Sequence, residues 1–149
     1  QGADEDFEEL AILRLRLAGE RRRVAQAGRW LDADDRTVFA LWWQEAAGEL
    51  DRSDVAEALG STTAYTAVRI KRMRAQLDRS RTLVAALEVR PRCRELDRTI
   101  TGWDGRPGPL WRKRIDRHVR DCDRCVQHAG TGVLRAARVP LGVRRDPRR

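Results

Sequence analysis

The chain has 149 residues, which is enough for one ordinary domain or two small ones. Its hydrophobic fraction of 41% can form a core, while the 36% of charged residues predicts a heavily solvated surface. No apolar run approaches the ~20 residues that a membrane span requires, so the sequence speaks against a membrane-spanning helix.

The net charge of +8 comes almost wholly from arginine. The planar, permanently charged guanidinium group suits phosphate, so nucleic acid is the first class of partner to consider. Arginine-rich codon usage is a simpler source of the same bias. The sequence shows no secretory signal and starts at Gln1 rather than Met, so we expect a cytoplasmic segment of a longer protein.

The hydrophobic periodicity predicts an all-α protein, since no alternating strand pattern extends beyond a few residues. Residues 1–29 predict an N-terminal helix or linker that contains Leu10, Leu13 and Leu17. Acidic residues lie near its N-terminus and arginines near its C-terminus, which is the arrangement that the helix dipole favours. Gly28 breaks this helix.

A second helix follows, capped by Asp32 or Asp34 and containing Trp42 and Trp43. We expect this tryptophan pair to form the core of a first domain, residues 30–90. Adjacent side chains on a helix point in different directions, so one ring should pack inward and the other toward a neighbouring segment.

Residues 51–77 predict two helices around a tight turn. Ser53 is the N-cap candidate of the first helix, and Val55, Ala56 and Leu59 form its apolar face. Gly60 can end that helix because glycine adopts the left-handed conformation without a Cβ clash.

The second of these helices starts near Thr62 or Thr63 and runs to Leu77 or onward, until Pro91 stops it. Its inward residues at helical spacing are Ile70, Met73 and Leu77, with Leu83, Val84 and Leu87 in the continuation. Its predicted outer face carries the basic residues Arg69, Lys71, Arg72 and Arg74.

A small residue at position 56, a glycine four residues later and a cationic second helix are typical of a DNA-binding helix-turn-helix. An ordinary helical hairpin with a solvated basic face would give the same pattern. On the first interpretation Thr62, Thr63 and Tyr65 meet base edges, and the four basic residues contact phosphates or guanines.

The run from Leu59-Gly60 to R-I-x-R-x-R-x-x-L at 69–77 resembles region 4 of sigma-70-class bacterial sigma factors, especially the extracytoplasmic-function group. Residues 31–41 resemble the opening helix of that region, and the whole resemblance covers 8–87. It implies binding to the −35 promoter element and to RNA polymerase.

Two residues depart from the family pattern: Ser61 replaces an aliphatic turn residue and Thr66 replaces a valine. Both put hydroxyl groups into the seam between the helices, which favours a helix-turn-helix with weak or lost DNA binding.

Every cysteine of the chain lies in the segment 91–129, in the array C-x24-H-x3-C-x2-C formed by Cys93, His118, Cys122 and Cys125. His118 and Cys122 fall on one face of a helix starting near Pro109, so three thiolates and one imidazole can close a tetrahedral Zn²⁺ site. We therefore predict a small zinc-stabilised helical domain, since so short a segment rarely folds on its own core.

Three alternatives stay open for this array. Its members could be unconnected thiols and a surface histidine. Cys122 and Cys125 could form a disulfide, or oxidation could eject the metal. His128 could replace Cys93 as the fourth ligand, but it would leave the preceding helix untethered.

The H-x3-C-x2-C segment, with Cys93 upstream and an Asp104-Gly105 turn, resembles the zinc-binding anti-sigma domain. The family's turn is longer here by residues 106–109. The resemblance implies a regulatory interaction with a protein partner.

We expect Trp103 and Trp111, on either side of the turn, to pack in the core. Residues 130–149 predict a basic, disordered tail.

Together these patterns predict the C-terminal part of a sigma factor, with promoter-binding by the helix-turn-helix and a zinc module that regulates or docks it. The alternative is a protein-interaction module whose helix-turn-helix no longer reads DNA. We do not expect an enzyme, because the Cys/His group can be fully coordinated and no paired carboxylates or Gly-rich phosphate loop stand out.

Overall fold

The computed structural model describes the backbone of residues 2–132 and the side chains of 8, 11, 15 and 18–128. Within these residues the protein is all-helical and has no strand, which confirms the predicted fold class. The seven helices are α1 Gly2–Gly28, α2 Ala33–Ala46, α3 Arg52–Ala58, α4 Thr63–Glu88, α5 Arg94–Thr99, α6 Pro109–Asp121 and α7 Asp123–Gly132. The predicted tail lies outside the described residues except for its first three positions, which belong to α7.

Helices α1 and α2 are joined by a short turn after Gly28, where the sequence predicted a break. Asp32, and not Asp34, is the N-cap of α2, since its carboxylate accepts a hydrogen bond from the Asp35 backbone N–H at 2.9 Å. The side chains of Leu10, Leu13 and Leu17 on α1 lie outside the described residues.

Helix α3 begins two residues earlier than predicted, and Ser53 is not its N-cap. Asp51 caps the helix: its side chain accepts from the Asp54 backbone N–H, while the Asp54 carboxylate accepts from the Asp51 N–H in return. The Ser53 hydroxyl instead donates to the Asp51 carboxylate at 2.7 Å. A carboxylate followed three residues later by another acid satisfies two free backbone donors, which a single serine could not do.

The turn from α3 to α4 follows the predicted chemistry. Gly60 has φ of +60°, a conformation in which a side chain would be strained. The Thr62 hydroxyl then caps α4 by accepting from the Tyr65 backbone N–H at 3.1 Å. From there α4 continues well past Leu77 and ends at Glu88, before the Pro91 that was expected to stop it.

Two buried clusters hold these helices together. The first lies among α1 to α4 and contains, besides smaller residues, the predicted inward-facing Ile70, Met73 and Leu77. Trp42 and Trp43 are only half-buried at its edge, both against Phe39, so they do not form its centre as predicted. Its fully buried members from α2 and α3 are Val38 and Val55.

The second cluster surrounds the cysteines. Leu83 and Val84 of α4 pack there with Leu96 of α5 and with Ile115 and Val119 of α6. Helix α4 therefore contributes to both clusters, and the domain boundaries proposed from the sequence, at 29, 90 and 129, stay predictions.

Tryptophan rings join the C-terminal helices to the end of α1. Trp103 lies between Trp30 and Trp111, with ring centroids 5.6 and 6.2 Å away. The Arg112 guanidinium donates to the Trp30 carbonyl oxygen at 3.1 Å. The expected packing role of Trp103 and Trp111 is thus present. Among the described residues, no helix combines the length and the apolar character that crossing a membrane would need.

Candidate metal centre and basic helix face

Three short pieces of backbone bring the four predicted ligands together. Cys93 is the N-cap of α5, His118 lies in the last turn of α6, Cys122 is the C-cap of α6, and Cys125 lies in the first turn of α7. Their ligand atoms all lie within 4.8 Å of one another. The group includes Cys93 and does not include His128.

The spacing of these atoms fits one tetrahedral ion. The Cys93 sulfur lies 3.6 Å from His118 Nε2 and 3.9 Å from the Cys122 sulfur, and the Cys125 sulfur lies 3.5 Å from the same nitrogen. Metal bonds of about 2.0–2.3 Å, as zinc forms with imidazole and thiolate, give tetrahedron edges of about 3.5–3.8 Å. The side chains therefore stand where a four-coordinate ion would need them.

All three cysteines are free thiols, so the alternative disulfide between Cys122 and Cys125 is not formed in this structure. Cys93 and Cys125 are buried, while His118 and Cys122 are half-buried. Four protein ligands fill a tetrahedral coordination sphere, which leaves no open position for water or substrate. The arrangement suits a structural ion better than a catalytic one.

The thiols differ in acidity. Backbone N–H groups at the start of α5, that of Leu96 foremost, together with His118, lower the pKa of Cys93 to about 7. Burial raises the pKa of Cys125 to about 12, and the neighbouring sulfurs of Cys122 and Cys93 add to the effect. A thiolate is stable beside other thiolates only if a cation balances them, and a coordinated cation deprotonates its thiol ligands.

The connection between α5 and α6 holds the ligand-bearing helices in place. Gly105 takes φ of +82°, and the Asp104 carboxylate accepts from the Arg106 backbone N–H at 2.9 Å. The Trp103 indole N–H donates to the Arg106 carbonyl oxygen at 2.8 Å. Pro109 then occupies the first turn of α6, where its missing N–H costs nothing.

The predicted DNA-contacting residues are distributed over more than one side of α4. Thr62, Thr63 and Tyr65 are exposed at its start, and Lys71 and Arg72 are exposed further along. Arg69, in contrast, is half-buried. The Arg74 guanidinium lies over the Trp42 ring at 5.5 Å. Arg69 and Arg74 therefore flank the buried face and do not share one outer face with Lys71 and Arg72.

One exposed residue of this face was missed by sequence reasoning. Val68 is 43% exposed, and Tyr65 three residues before it is 53% exposed. At spacings of three and four residues, Tyr65, Val68 and Arg72 form one ridge on the side opposite Ile70 and Met73. The i, i+3, i+7 pattern starting from Tyr65 was the signal that could have revealed it.

The hydroxyl groups of Thr66 and Ser61, the two residues that depart from the sigma-factor pattern, occupy different environments. Thr66 is fully buried, and its Oγ1 has no hydrogen-bond partner among the described residues. Ser61 is half-buried and its hydroxyl donates weakly to the Thr62 carbonyl oxygen at 3.4 Å. The Thr66 hydroxyl is therefore buried, whereas Ser61 is only half-buried; that these hydroxyls enter the seam between the helices stays a prediction.

Comparison with known proteins adds no identification: no protein-family model matches the chain, and neither a curated protein nor a solved structure matches it. The class that fold and site define is a small all-helical protein with a Cys₃His cluster able to hold a metal ion.

Proposed function

We propose that this chain binds duplex DNA through the start of α4, as the region 4-like part of a sigma factor, and that the Cys/His cluster holds a structural Zn²⁺. The observation that carries the DNA proposal is the exposed ridge of Tyr65, Val68 and Arg72, backed by the buried Ile70 and Met73. A recognition helix needs this combination, because one side must be fixed in the protein while the other enters the major groove.

The side chains of the ridge have complementary roles in this proposal. Val68 offers an apolar contact to a thymine methyl group, and Arg72 can form paired hydrogen bonds with guanine. Lys71 adds a phosphate contact beside them. Thr62 and Thr63 stand at the N-terminus of the helix, where phosphate is also favoured. Arg69 and Arg74, which flank the buried face, would reach only the edges of the interface.

The zinc proposal is supported by the nature of the ligands and by their spacing. Three thiolates with one imidazole are a common structural zinc set, and the separations of 3.5, 3.6 and 3.9 Å lie within or close to the edges of a zinc tetrahedron. When bound, the ion would fasten the start of α5, just after α4, to the α6–α7 junction. A partner protein or RNA polymerase would then meet a rigid C-terminal half.

Salt dependence of DNA binding tests the first proposal. We expect the affinity for duplex DNA to fall steeply with salt, and the double variant Lys71→Gln/Arg72→Gln to reduce the slope of log K against log[salt] by about 0.9 for the lost phosphate contact of Lys71. The matched control, Arg98→Gln/Arg124→Gln, removes two exposed arginines from α5 and α7 and should leave the slope unchanged.

The same experiment decides the alternative function. A protein-interaction module without DNA readout is favoured by Thr66, whose unpaired buried hydroxyl departs from the family pattern. A chain that shows no salt-dependent DNA binding, while folded and metal-loaded, would support that module and refute the sigma-like proposal.

Metal analysis tests the zinc proposal independently. We expect one zinc per purified chain, and loss of that zinc in Cys93→Ser. His128→Ala should retain it, because His128 lies outside the cluster. Full zinc retention by Cys93→Ser, or zinc loss by His128→Ala, would mean that the fourth ligand has been assigned wrongly.

A further inference from the structure

An open groove lies between three segments of the chain, and none of its lining residues belongs to the Cys/His cluster or to α4. It has a volume of about 460 Å³, within the usual range of ligand sites. The residues that line it come from the end of α1 and the turn after it, from α2 and from the α5–α6 connection: Ala25, Gly28, Arg29, Arg36, Phe39, Arg106 and Pro107.

Three arginines from three segments surround this groove. Arg29, Arg36 and Arg106 are all exposed. Within the described part of the chain, none of their guanidinium groups has an ion-pair or hydrogen-bond partner. Three like charges that line one groove favour the binding of an anion there.

The groove also has an apolar floor. The Phe39 ring lies directly against the backbone of Gly28, where a Cβ atom would come within 2.7 Å of the ring. The rings of Trp42 and Trp43 also pack near the Phe39 ring, at centroid distances of 6.2 and 5.7 Å. Pro107 adds a second apolar residue to the lining. The groove therefore has an aromatic ring held by packing among its lining residues.

We propose that this groove binds a nucleoside polyphosphate. The guanidinium groups would hold the phosphate chain by charge-assisted hydrogen bonds, for which the planar arginine fork is suited. The Phe39 ring and Pro107 would contact the base. A duplex backbone needs cationic side chains but no aromatic ring beside them, so a free nucleotide uses more of the groove than DNA would.

Such a ligand would connect two parts of the fold. Arg29 lies in the turn after α1 and Arg36 belongs to α2, whereas Arg106 belongs to the connection that positions α6. A ligand held by all three arginines binds only when these segments are packed together. It therefore stabilises that packing, and the effect grows with ligand concentration. ATP should raise the melting temperature of the zinc-loaded chain.

Calorimetric titration with ATP, in the absence of DNA, tests the proposal. We expect saturable binding, weaker binding of tripolyphosphate, which lacks the base, and a loss of about tenfold or more in ATP affinity for Arg36→Gln and for Arg106→Gln. Arg98→Gln removes an equally exposed arginine of α5 outside the groove and should bind ATP like the wild type. Far-ultraviolet circular dichroism and zinc content would establish that each variant is folded.

Three results would overturn the proposal: no saturable ATP binding by the folded chain, equal weakening by the control Arg98→Gln, or groove variants that weaken duplex DNA binding while ATP binding is absent. The last result would make the groove a DNA-backbone contact. Because ATP is titrated without DNA, the outcome does not depend on the DNA-binding function proposed above.

Discussion

The buried hydroxyl of Thr66 gives the sharpest test of the packing between α3 and α4. Its Oγ1 is inaccessible and has no hydrogen-bond partner among the described residues. An unsatisfied buried hydroxyl costs about 1–3 kcal/mol. Thr66→Val replaces it with a methyl group of nearly the same size and keeps the β-branched shape. We therefore expect the free energy of unfolding to rise by about 1–3 kcal/mol.

Equilibrium unfolding in urea, with zinc held constant, measures this change. For a chain of this size the melting temperature should rise by about 2–4 °C for each kcal/mol. Thr63→Val, at an exposed position on the same helix, is the matched control and should change stability by less than about 0.5 kcal/mol. If Thr66→Val destabilised the protein, the hydroxyl would have to be bonded, for example to the Thr62 carbonyl oxygen one turn earlier, and the reasoning would be refuted.

Further predictions concern the cap of α2 and the metal centre. Asp32→Ala removes the side-chain acceptor for the Asp35 N–H and should cost about 1 kcal/mol in thermal or urea unfolding, with Asp34→Ala as the smaller control. Zinc binding at neutral pH should release at least one proton, because the raised pKa of Cys125, about 12, keeps that thiol protonated without metal. Calorimetry in buffers of different ionisation enthalpy would measure the release, and no release would contradict the assignment of Cys125 as a ligand. Chelation of the zinc should abolish hydrogen-exchange protection around Leu83 and Ile115 but preserve it around Met73, as mass spectrometry of peptides can resolve; equal loss at Met73 would show that the clusters unfold together.

Sequence reasoning located the helices well because their boundaries depend on local chemistry. The end of α3 follows from Gly60 and the start of α4 from the Thr62 cap, because both residues act within one turn. The start of α3 was predicted wrongly because three nearby polar residues, Asp51, Ser53 and Asp54, could each cap the helix. Only the reciprocal bonds of Asp51 and Asp54 decide between them.

The metal ligands were predictable for a related reason. His118, Cys122 and Cys125 lie within eight residues, so the i, i+4 spacing on α6 and the turn into α7 bring them together. Cys93 is distant in sequence, and its inclusion rested on the need to tether the preceding helix. The structure places it in the cluster with the other three.

Long-range packing was beyond the reach of the sequence patterns. The adjacent Trp42 and Trp43 suggested a core, yet the tryptophan that is buried is Trp30, which lies in the turn between helices and fits no periodic pattern. Val68 was missed because an apolar residue on a helix is ordinarily assigned to the core. The groove around Phe39 was missed because it combines segments separated by more than sixty residues.

The length of α4 explains how the two candidate sites can share one helix and still act separately. Its 26 residues span roughly 39 Å at 1.5 Å per residue, so its start and its end lie in different surroundings. Met73 and Leu77 pack only in the first cluster, whereas Leu83 and Val84 pack in the cluster around the cysteines. The stability of the end of α4 therefore depends on the Cys/His segment, while the exposed ridge at its start depends on α1 to α3. A metal that stabilises the second cluster would fix the orientation of the C-terminal helices without altering the ridge.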